Sequence, residues 1–125
     1  MTNKIQTIGM METMLKEINK AGGIEASAIG SRDGLLICTT LSDQNHAEIF
    51  VAMSATMIGA AETASAELGK GIPELTIVES GTGKIIGTGA GPKALLLVMA
   101  GPDANLGLVL FEMKKASEKI RYLLG

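Results

Sequence analysis

The stretch ASAIGSRDGLLICTTL, residues 26–41, decides the fold, because it reads as two short strands joined by a tight turn. Asp33-Gly34 is typical of a hairpin, since both residues tolerate the backbone angles that a tight turn requires. The returning strand, Leu35–Thr40, is nearly continuous in apolar residues, which favours burial on both faces. We therefore expect a sheet with helices on both of its sides.

Helical patterns lie on either side of this hairpin. Upstream, apolar residues at steps of three and four predict an amphipathic helix that ends at Gly22-Gly23. These residues are Ile8, Met11, Leu15 and Ile18. Downstream, a long helix is predicted over Asp43–Lys70, where Ser42 or Asp43 can cap the free backbone N–H groups. Its larger apolar side chains form one stripe, which we interpret as core beneath the sheet. The stripe begins with Phe50, Met53 and Met57.

Four strand patterns follow the long helix. They are Glu74–Glu79, Lys84–Gly89, Ala94–Ala100 and Leu106–Phe111, and a short amphipathic helix then closes the chain. Pro73, at the start of the first pattern, favours a position at the edge of the sheet. Glycines in the second pattern would allow it to merge with a neighbouring strand, so the sheet has six strands or five.

Composition limits the class of protein and its partners. The 125 residues suit one domain over residues 1–125, with one core. Only 2% of the residues are aromatic and the net charge is −2, and both values argue against nucleic-acid binding. No signal segment is visible near the N-terminus, and the longest apolar run, Ala94–Ala100, is far too short to span a membrane. We expect a cytoplasmic protein.

Few residues could carry bond chemistry. Cys38 falls inside a strand, where a buried and inert thiol is expected. His46 stands alone in the sequence and cannot make a zinc site. Gly81-Thr82-Gly83-Lys84 lacks the first glycine and the final Ser or Thr of a phosphate loop, so it is interpreted as a hairpin turn. We expect no catalytic residue, no metal and no cofactor.

Arg32 lies at the tip of the first hairpin. We interpret it as a solubilising turn residue. The alternative is a finger that reaches into the active site of a partner.

One flank of the long helix is almost free of large side chains. Small residues let another backbone approach closely, so this flank is predicted to contact a second subunit. The predicted contact residues are Ala52, Thr56, Gly59 and Thr63.

Three segments, taken in order, resemble the Roadblock / dynein light chain domain, particularly its short prokaryotic versions. They are Ala26–Thr39, the Ala- and Gly-rich helix Ile49–Leu68, and Leu96–Leu110 with its Pro102-Asp103-Ala104-Asn105 turn. The likeness covers nearly the whole chain, and the co-occurrence of the segments carries it. It implies an α+β fold with a five-stranded antiparallel sheet, in the order α-ββ-α-βββ-α. The long helix would lie on one face, and the N- and C-terminal helices on the other.

The resemblance also implies a homodimer that serves as a noncatalytic platform for a Ras-like small GTPase. In this family the long helices pack side by side and an edge strand pairs across the dimer. Here the pairing strand residues would be Leu75, Thr76, Ile77 and Val78. The partner is expected on the opposite face of the long helix, at Glu48, Ala55, Glu62 and Ala66. Polarity-associated bacterial members often carry terminal extensions that are small here, so that role is not expected.

Two other functions stay open. A small-molecule sensor would use the same architecture, with a Met-lined pocket for an apolar ligand. An enzyme would need a site built from Arg32, Cys38 or His46, and the residue pattern favours it least.

Overall fold

The computed structural model describes residues 3–125, so the first two residues of the predicted domain 1–125 lie outside it. Within these residues the elements follow the order α-ββ-α-βββ-α, with bounds close to most of the predicted ones. They are α1 (Lys4–Ile18), β1 (Ile24–Ser31), β2 (Leu36–Thr39), α2 (Gln44–Glu67), β3 (Thr76–Ser80), β4 (Gly83–Gly89), β5 (Ala94–Ala100) and α3 (Leu106–Leu124).

The prediction of a strand at Leu106–Phe111 is wrong, because these residues form the first turns of α3. The side chain of Asn105 caps the helix by accepting a hydrogen bond from the Leu108 N–H at 3.2 Å. Val109 and Met113 are buried one helical turn apart. This spacing outweighs the strand propensity of the aliphatic run.

The five strands form one antiparallel sheet in the order β2-β1-β5-β4-β3. β5 occupies the centre, and the hairpins β1–β2 and β3–β4 extend the sheet on either side of it. β3 is therefore an edge strand, which confirms the position that Pro73 predicted for Glu74–Glu79. Gly81-Thr82 forms the turn between β3 and β4, so the glycine-rich segment is a hairpin turn.

Helices cover both faces of the sheet, and each face has its own core. α1 and α3 lie on one face and α2 lies on the other, which confirms the predicted α+β class. The core under α1 and α3 is the larger one, and its largest buried side chains include Met11, Leu15, Ile29, Leu96, Met113 and Ile120. The core under α2 contains Ala28, Phe50, Val51, Ile58, Leu95 and Leu97.

Gly30 fixes how closely α2 approaches the first hairpin. A Cβ atom at this position would collide with Cγ1 of Val51, so only glycine fits between β1 and α2. The hairpin itself closes through the Ser31 N–H, which donates to the Leu35 carbonyl at 2.8 Å. Gly34 takes the positive φ of +90° that its turn requires.

Candidate functional site

The outer side of α2 is apolar and exposed. Ile49 is 60% exposed and Met53 is 62% exposed, whereas Phe50, Val51 and Ile58 pack on the sheet. The interpretation of Met53 as core is therefore wrong. The buried line along α2 runs through Ala47, Val51, Ser54 and Ile58, and at 3.6 residues per turn Met53 falls outside it. Met57, the next residue of the predicted stripe, is half-buried.

The small residues predicted for subunit contact lie beside this apolar strip. Thr56, Gly59 and Thr63 are exposed and Ala52 is half-buried. A Cβ atom at Gly59 would meet nothing within 4 Å, so packing within the chain does not require glycine there. The absence of a side chain at this position leaves room for a neighbour outside the chain.

The residues predicted to meet a partner lie on a flank adjoining the small-residue strip, not on the opposite face of α2. Helical spacing puts Glu48, Ala55, Glu62 and Ala66 on one side of α2, and Ala55 and Glu62 of this set contact the tip of the first hairpin. Ala55 is half-buried beside Gly34, where a Cβ atom would lie 3.6 Å from its methyl group. Glu62 is also half-buried.

α2 is more apolar than the other described helices. Among residues 3–125 it is the one helix that is long and apolar enough to cross a membrane, and 28% of its apolar window is buried within the fold. By itself this is weak evidence for a membrane, since helices that cover a soluble core satisfy the same test. The exposed part is an apolar surface of the kind that marks interaction sites.

The backbone of β3 presents unpaired groups at the sheet edge. Because Gly81-Thr82 is a two-residue turn, Ser80 and Gly83 form the first hydrogen-bonded pair, and bonded pairs alternate from there. Thr76 and Val78 therefore bond to β4. The backbone N–H and C=O groups of Ile77 and Glu79 point away from the sheet.

The same alternation follows from the other side of β4. There the Ala90 N–H donates to the Ala94 carbonyl at 2.9 Å, so even-numbered residues of β4 bond to β5. Odd-numbered residues such as Ile85 and Gly87 then bond to β3.

The side chains along β3 alternate between the two faces of the sheet: Val78 faces the α2 side, whereas Ile77 stands opposite Ile86 of the core under α1 and α3. Leu75, Ile77 and Val78 are between 37% and 41% exposed, and Thr76 is half-buried. Val78 stands opposite Ile85, which packs against the core under α2. Val78 therefore faces the same side of the sheet as α2, although α2 packs mainly over β2, β1 and β5, and β4 lies between these strands and β3. We call the exposed side of α2 and the open edge of β3, taken together, the α2–β3 surface.

The interpretation of Arg32 as a solubilising turn residue is wrong, because its guanidinium joins three elements. Nη1 lies 3.0 Å from Oε2 of Glu62 on α2. Nη2 and Nε donate to the Gly91 carbonyl, at 2.9 and 3.3 Å, in the loop between β4 and β5. We call this arrangement the Arg32 clasp. It ties the first hairpin to the far end of α2.

The glycines of β4 make room for these contacts, which sequence reasoning missed. A Cβ atom at Gly89 would lie 2.5 Å from Nη2 of Arg32, and one at Gly87 would lie 2.5 Å from Cδ1 of Ile58. Gly91 has a φ of +86° and packs against Arg121. Because Gly87 and Gly89 are two residues apart, they lie on the same face of β4. This spacing is a sequence signal that other side chains pack closely against that face.

The residues considered for chemistry are not brought together. Cys38 is buried, and burial raises the pKa of its thiol to about 12, with a smaller contribution from the Glu12 carboxylate. His46 is exposed in the first turn of α2, where its backbone N–H donates to Oδ1 of Asp43 at 3.1 Å. Within residues 3–125, no three His, Cys, Asp or Glu side chains are grouped closely enough to hold a metal ion.

Sequence comparison gives relatives of nearly the same length. A family model described as the Roadblock/LC7 domain matches residues 10–100. Three proteins of Methanocaldococcus jannaschii, each described as uncharacterized, are 39%, 38% and 36% identical to the chain over 112 residues. These matches cover 90% of this chain and 97%, 97% and 94% of those proteins.

Structure comparison identifies the same fold in solved proteins. Myxococcus xanthus MglB superimposes with a TM-score of 0.86 at 18% identity, covering 99% of this chain and 92% of that one. A Roadblock/LC7 domain from Streptomyces avermitilis gives 0.85 at 21% identity, covering 90% and 97%. At these identities the likeness shows a shared fold.

Proposed function

The chain belongs to the Roadblock/LC7 domain family, and from this premise we propose that it is a noncatalytic homodimeric platform that binds and regulates a Ras-like small GTPase. The observation that carries the proposal is the α2–β3 surface, which combines an exposed apolar helix side with an open strand edge. We place the platform in the cytoplasm and treat residues 1–125 as its single domain.

The open edge of β3 accounts for the dimer. Two copies of β3, placed antiparallel, would satisfy the outward backbone groups of Ile77 and Glu79 and would join two five-stranded sheets into one. Such pairing is self-complementary, as a twofold dimer requires. It also removes an edge that would otherwise favour aggregation.

Helix pairing would cover the apolar side of α2 in the same dimer. The side chains of Ile49 and Met53 would be removed from water, which is the main favourable term in association. Thr56, Gly59 and Thr63 would let the two helix backbones approach closely. The interface that we propose is therefore wider than the small-residue strip, because it includes the larger apolar residues beside it.

The flank with Glu48, Ala55, Glu62 and Ala66 would stay accessible next to the paired helices. Of its two glutamates, Glu62 is paired with Arg32, whereas Glu48 forms none of the described ion pairs and offers a carboxylate to a basic group of the partner. A GTPase that docks here would have its switch loops biased toward one conformation, which changes hydrolysis without a side chain from the platform.

The Arg32 clasp argues against an arginine finger. The guanidinium is engaged by a carboxylate and by a backbone carbonyl within its own chain. Reaching a partner's nucleotide would require breaking all of these hydrogen bonds.

The proposal is tested by capture from native lysate with the tagged chain as bait, in GDP and separately in a non-hydrolysable GTP analogue. Bait carrying Ile77→Pro, which is designed to be monomeric, is the matched control. We expect mass spectrometry to identify a Ras-like GTPase whose recovery depends on the nucleotide and on the dimer. If both baits recovered the same GTPase, the GTPase would bind without the dimer. If neither bait recovered a GTPase in a nucleotide-dependent way, the platform proposal would be refuted.

A second candidate, small-molecule binding, is supported by a groove of about 790 Å³ between α3 and the segment before β3. Its lining includes the apolar residues Ile72, Leu75 and Phe111 and the basic residues Arg32 and Arg121. This volume is within the usual range for ligand pockets. A ligand that binds only the native state raises the melting temperature, so a thermal-shift screen tests this candidate.

A further inference from the structure

Charge is divided unequally between the two faces of the sheet. Six of the chain's 11 Lys and Arg residues lie in the segments Lys4–Ile18 and Leu106–Leu124, which form α1 and α3. The same segments contain four carboxylates, those of Glu12, Glu17, Glu112 and Glu118. The α1–α3 face is therefore net positive, although the chain as a whole carries −2.

Two of the chain's three aromatic residues lie on the outer side of α3. Phe111 is 59% exposed and Tyr122 is 89% exposed, while only Phe50 is buried. Lys115 lies between them on the helix, with Nζ 5.3 Å from the centre of the Phe111 ring and 3.5 Å from Oε1 of Glu112. Aromatic side chains are enriched at interfaces between proteins.

A groove of about 500 Å³ runs between α1 and α3 on this face. Met10 and Met14 line it from α1, and Leu123 and Tyr122 line it from α3. Lys115 and Lys119, with Glu118 between them, also line the groove. Methionine side chains adapt to different partners, and grooves between helices accept the apolar side of an amphipathic helix.

We propose that this groove binds an amphipathic helix of a partner protein whose flanks are acidic. Apolar residues at steps of three and four would fill the groove beside Met10 and Met14, and carboxylates on the flanks would meet Lys115 and Lys119. A lipid bilayer fits less well, because it would contact the projecting Phe111 and Tyr122 and leave the concave groove unfilled. The inference does not depend on the homodimer or on a GTPase.

The test uses a synthetic amphipathic helix of roughly five turns, with leucines on one side and glutamates on its flanks. The matched control peptide carries lysines in place of the glutamates. Methyl NMR of the full-length protein reports the site directly, because Met10 and Met14 line the groove while Met53 and Met57 lie on α2 across the sheet. We expect the acidic peptide to shift the Met10 and Met14 signals saturably and to leave the α2 methionines unchanged.

Surface variants separate binding from folding. Lys119→Glu should weaken the acidic peptide roughly threefold to tenfold, since an exposed attraction is replaced by repulsion. Lys70→Glu, an exposed lysine beyond the end of α2, should leave the affinity unchanged. Ile77→Pro should bind as wild type, which keeps this result separate from the proposed dimer.

Three outcomes would overturn the inference. They are an absence of Met10 and Met14 shifts at millimolar peptide, equal affinity for the acidic and basic peptides, and shifts produced by anionic phosphatidylglycerol vesicles without any response to the acidic peptide.

Discussion

The two edge strands of the sheet occupy equivalent positions but different surroundings. β2 has no exposed residue within its four positions, because α1 packs beside one of its faces and α2 beside the other. β3 is exposed at four of its five positions and presents the outward backbone groups of Ile77 and Glu79. The chain's own helices cover the faces of β2, whereas β3 is left exposed, and we propose that a second copy of the chain pairs with it.

The largest expected effect comes from closing the β3 edge. Ile77→Pro removes an outward N–H from each of two symmetry-related strands while leaving the bonds between β3 and β4 in place. We expect the dimer to weaken roughly 100-fold, since the strands lose two hydrogen bonds and gain two misfitting rings. Sedimentation velocity over a concentration series measures the change.

Two variants control for nonspecific damage to β3. Ile77→Val keeps the donor and should dimerise as wild type. Thr76→Pro removes an N–H that bonds to β4, so it should destabilise the chain itself. A folded and fully dimeric Ile77→Pro protein would show that the β3 edge lies outside the interface.

Gly59→Leu tests the helix side of the same surface. Replacing glycine inside a helix should stabilise the folded chain by about 0.5–1 kcal/mol, because nothing lies within 4 Å of the new Cβ atom. The same side chain should weaken dimerisation roughly tenfold by separating the paired helices. Urea unfolding, measured at concentrations where both proteins are monomeric, should show the gain in stability, and sedimentation at higher concentration should show the weaker dimer. Dimerisation with wild-type affinity would show that the helix contact lies elsewhere.

Arg32→Gln tests whether the first hairpin is held from within the chain. Loss of the Arg32 clasp should lower the free energy of unfolding by about 1 kcal/mol or less, because the ion pair with Glu62 is partly exposed to solvent. Dimer affinity should be unchanged. Asp33→Asn, at the neighbouring exposed turn position, is the matched control for thermal denaturation. A fall in dimer affinity would place the hairpin in the interface.

Substitution of Cys38 should give the smallest effect on stability, and its thiol reports whether β2 is buried. Its pKa of about 12 in the folded protein lies above the ordinary thiol value of 9.0, so the folded state holds the thiol proton more tightly. The resulting stability is present below pH 9 and is lost as the pH rises toward 12. Cys38→Val should flatten this part of the unfolding profile, and thiol reagents should react with wild type only after unfolding. Rapid labelling of native protein at pH 8 would contradict burial of the β2 edge.

The sequence predicted the elements whose patterns are local. Asp33-Gly34 located the first hairpin, Pro73 located the edge strand, and the apolar steps from Ile8 to Ile18 located α1. The strand prediction at Leu106–Phe111 failed because an aliphatic run fits both a buried strand and a helix. The Asn105 cap was the sequence signal that could have decided between them.

The surroundings of side chains were harder to predict than the elements. Met53 was assigned to the core because periodicity shows which residues share a stripe but not how wide a stripe the sheet can cover. Arg32 was assigned to solvent because Glu62 and Gly91 are distant in sequence, and only the fold brings them to the hairpin tip. Long-range contacts of this kind leave no local pattern.

Hydrogen exchange at single residues tests the central claim, that β3 pairs with a second copy of itself. The amides of Ile77 and Glu79 have no partner in the β3–β4 ladder, so only an intermolecular strand can protect them. Exchange is measured by NMR over a range of protein concentrations that spans dissociation. We expect protection of these two amides to rise with concentration while Val78 stays protected throughout. Unprotected exchange of Ile77 and Glu79 in fully dimeric protein would contradict the account.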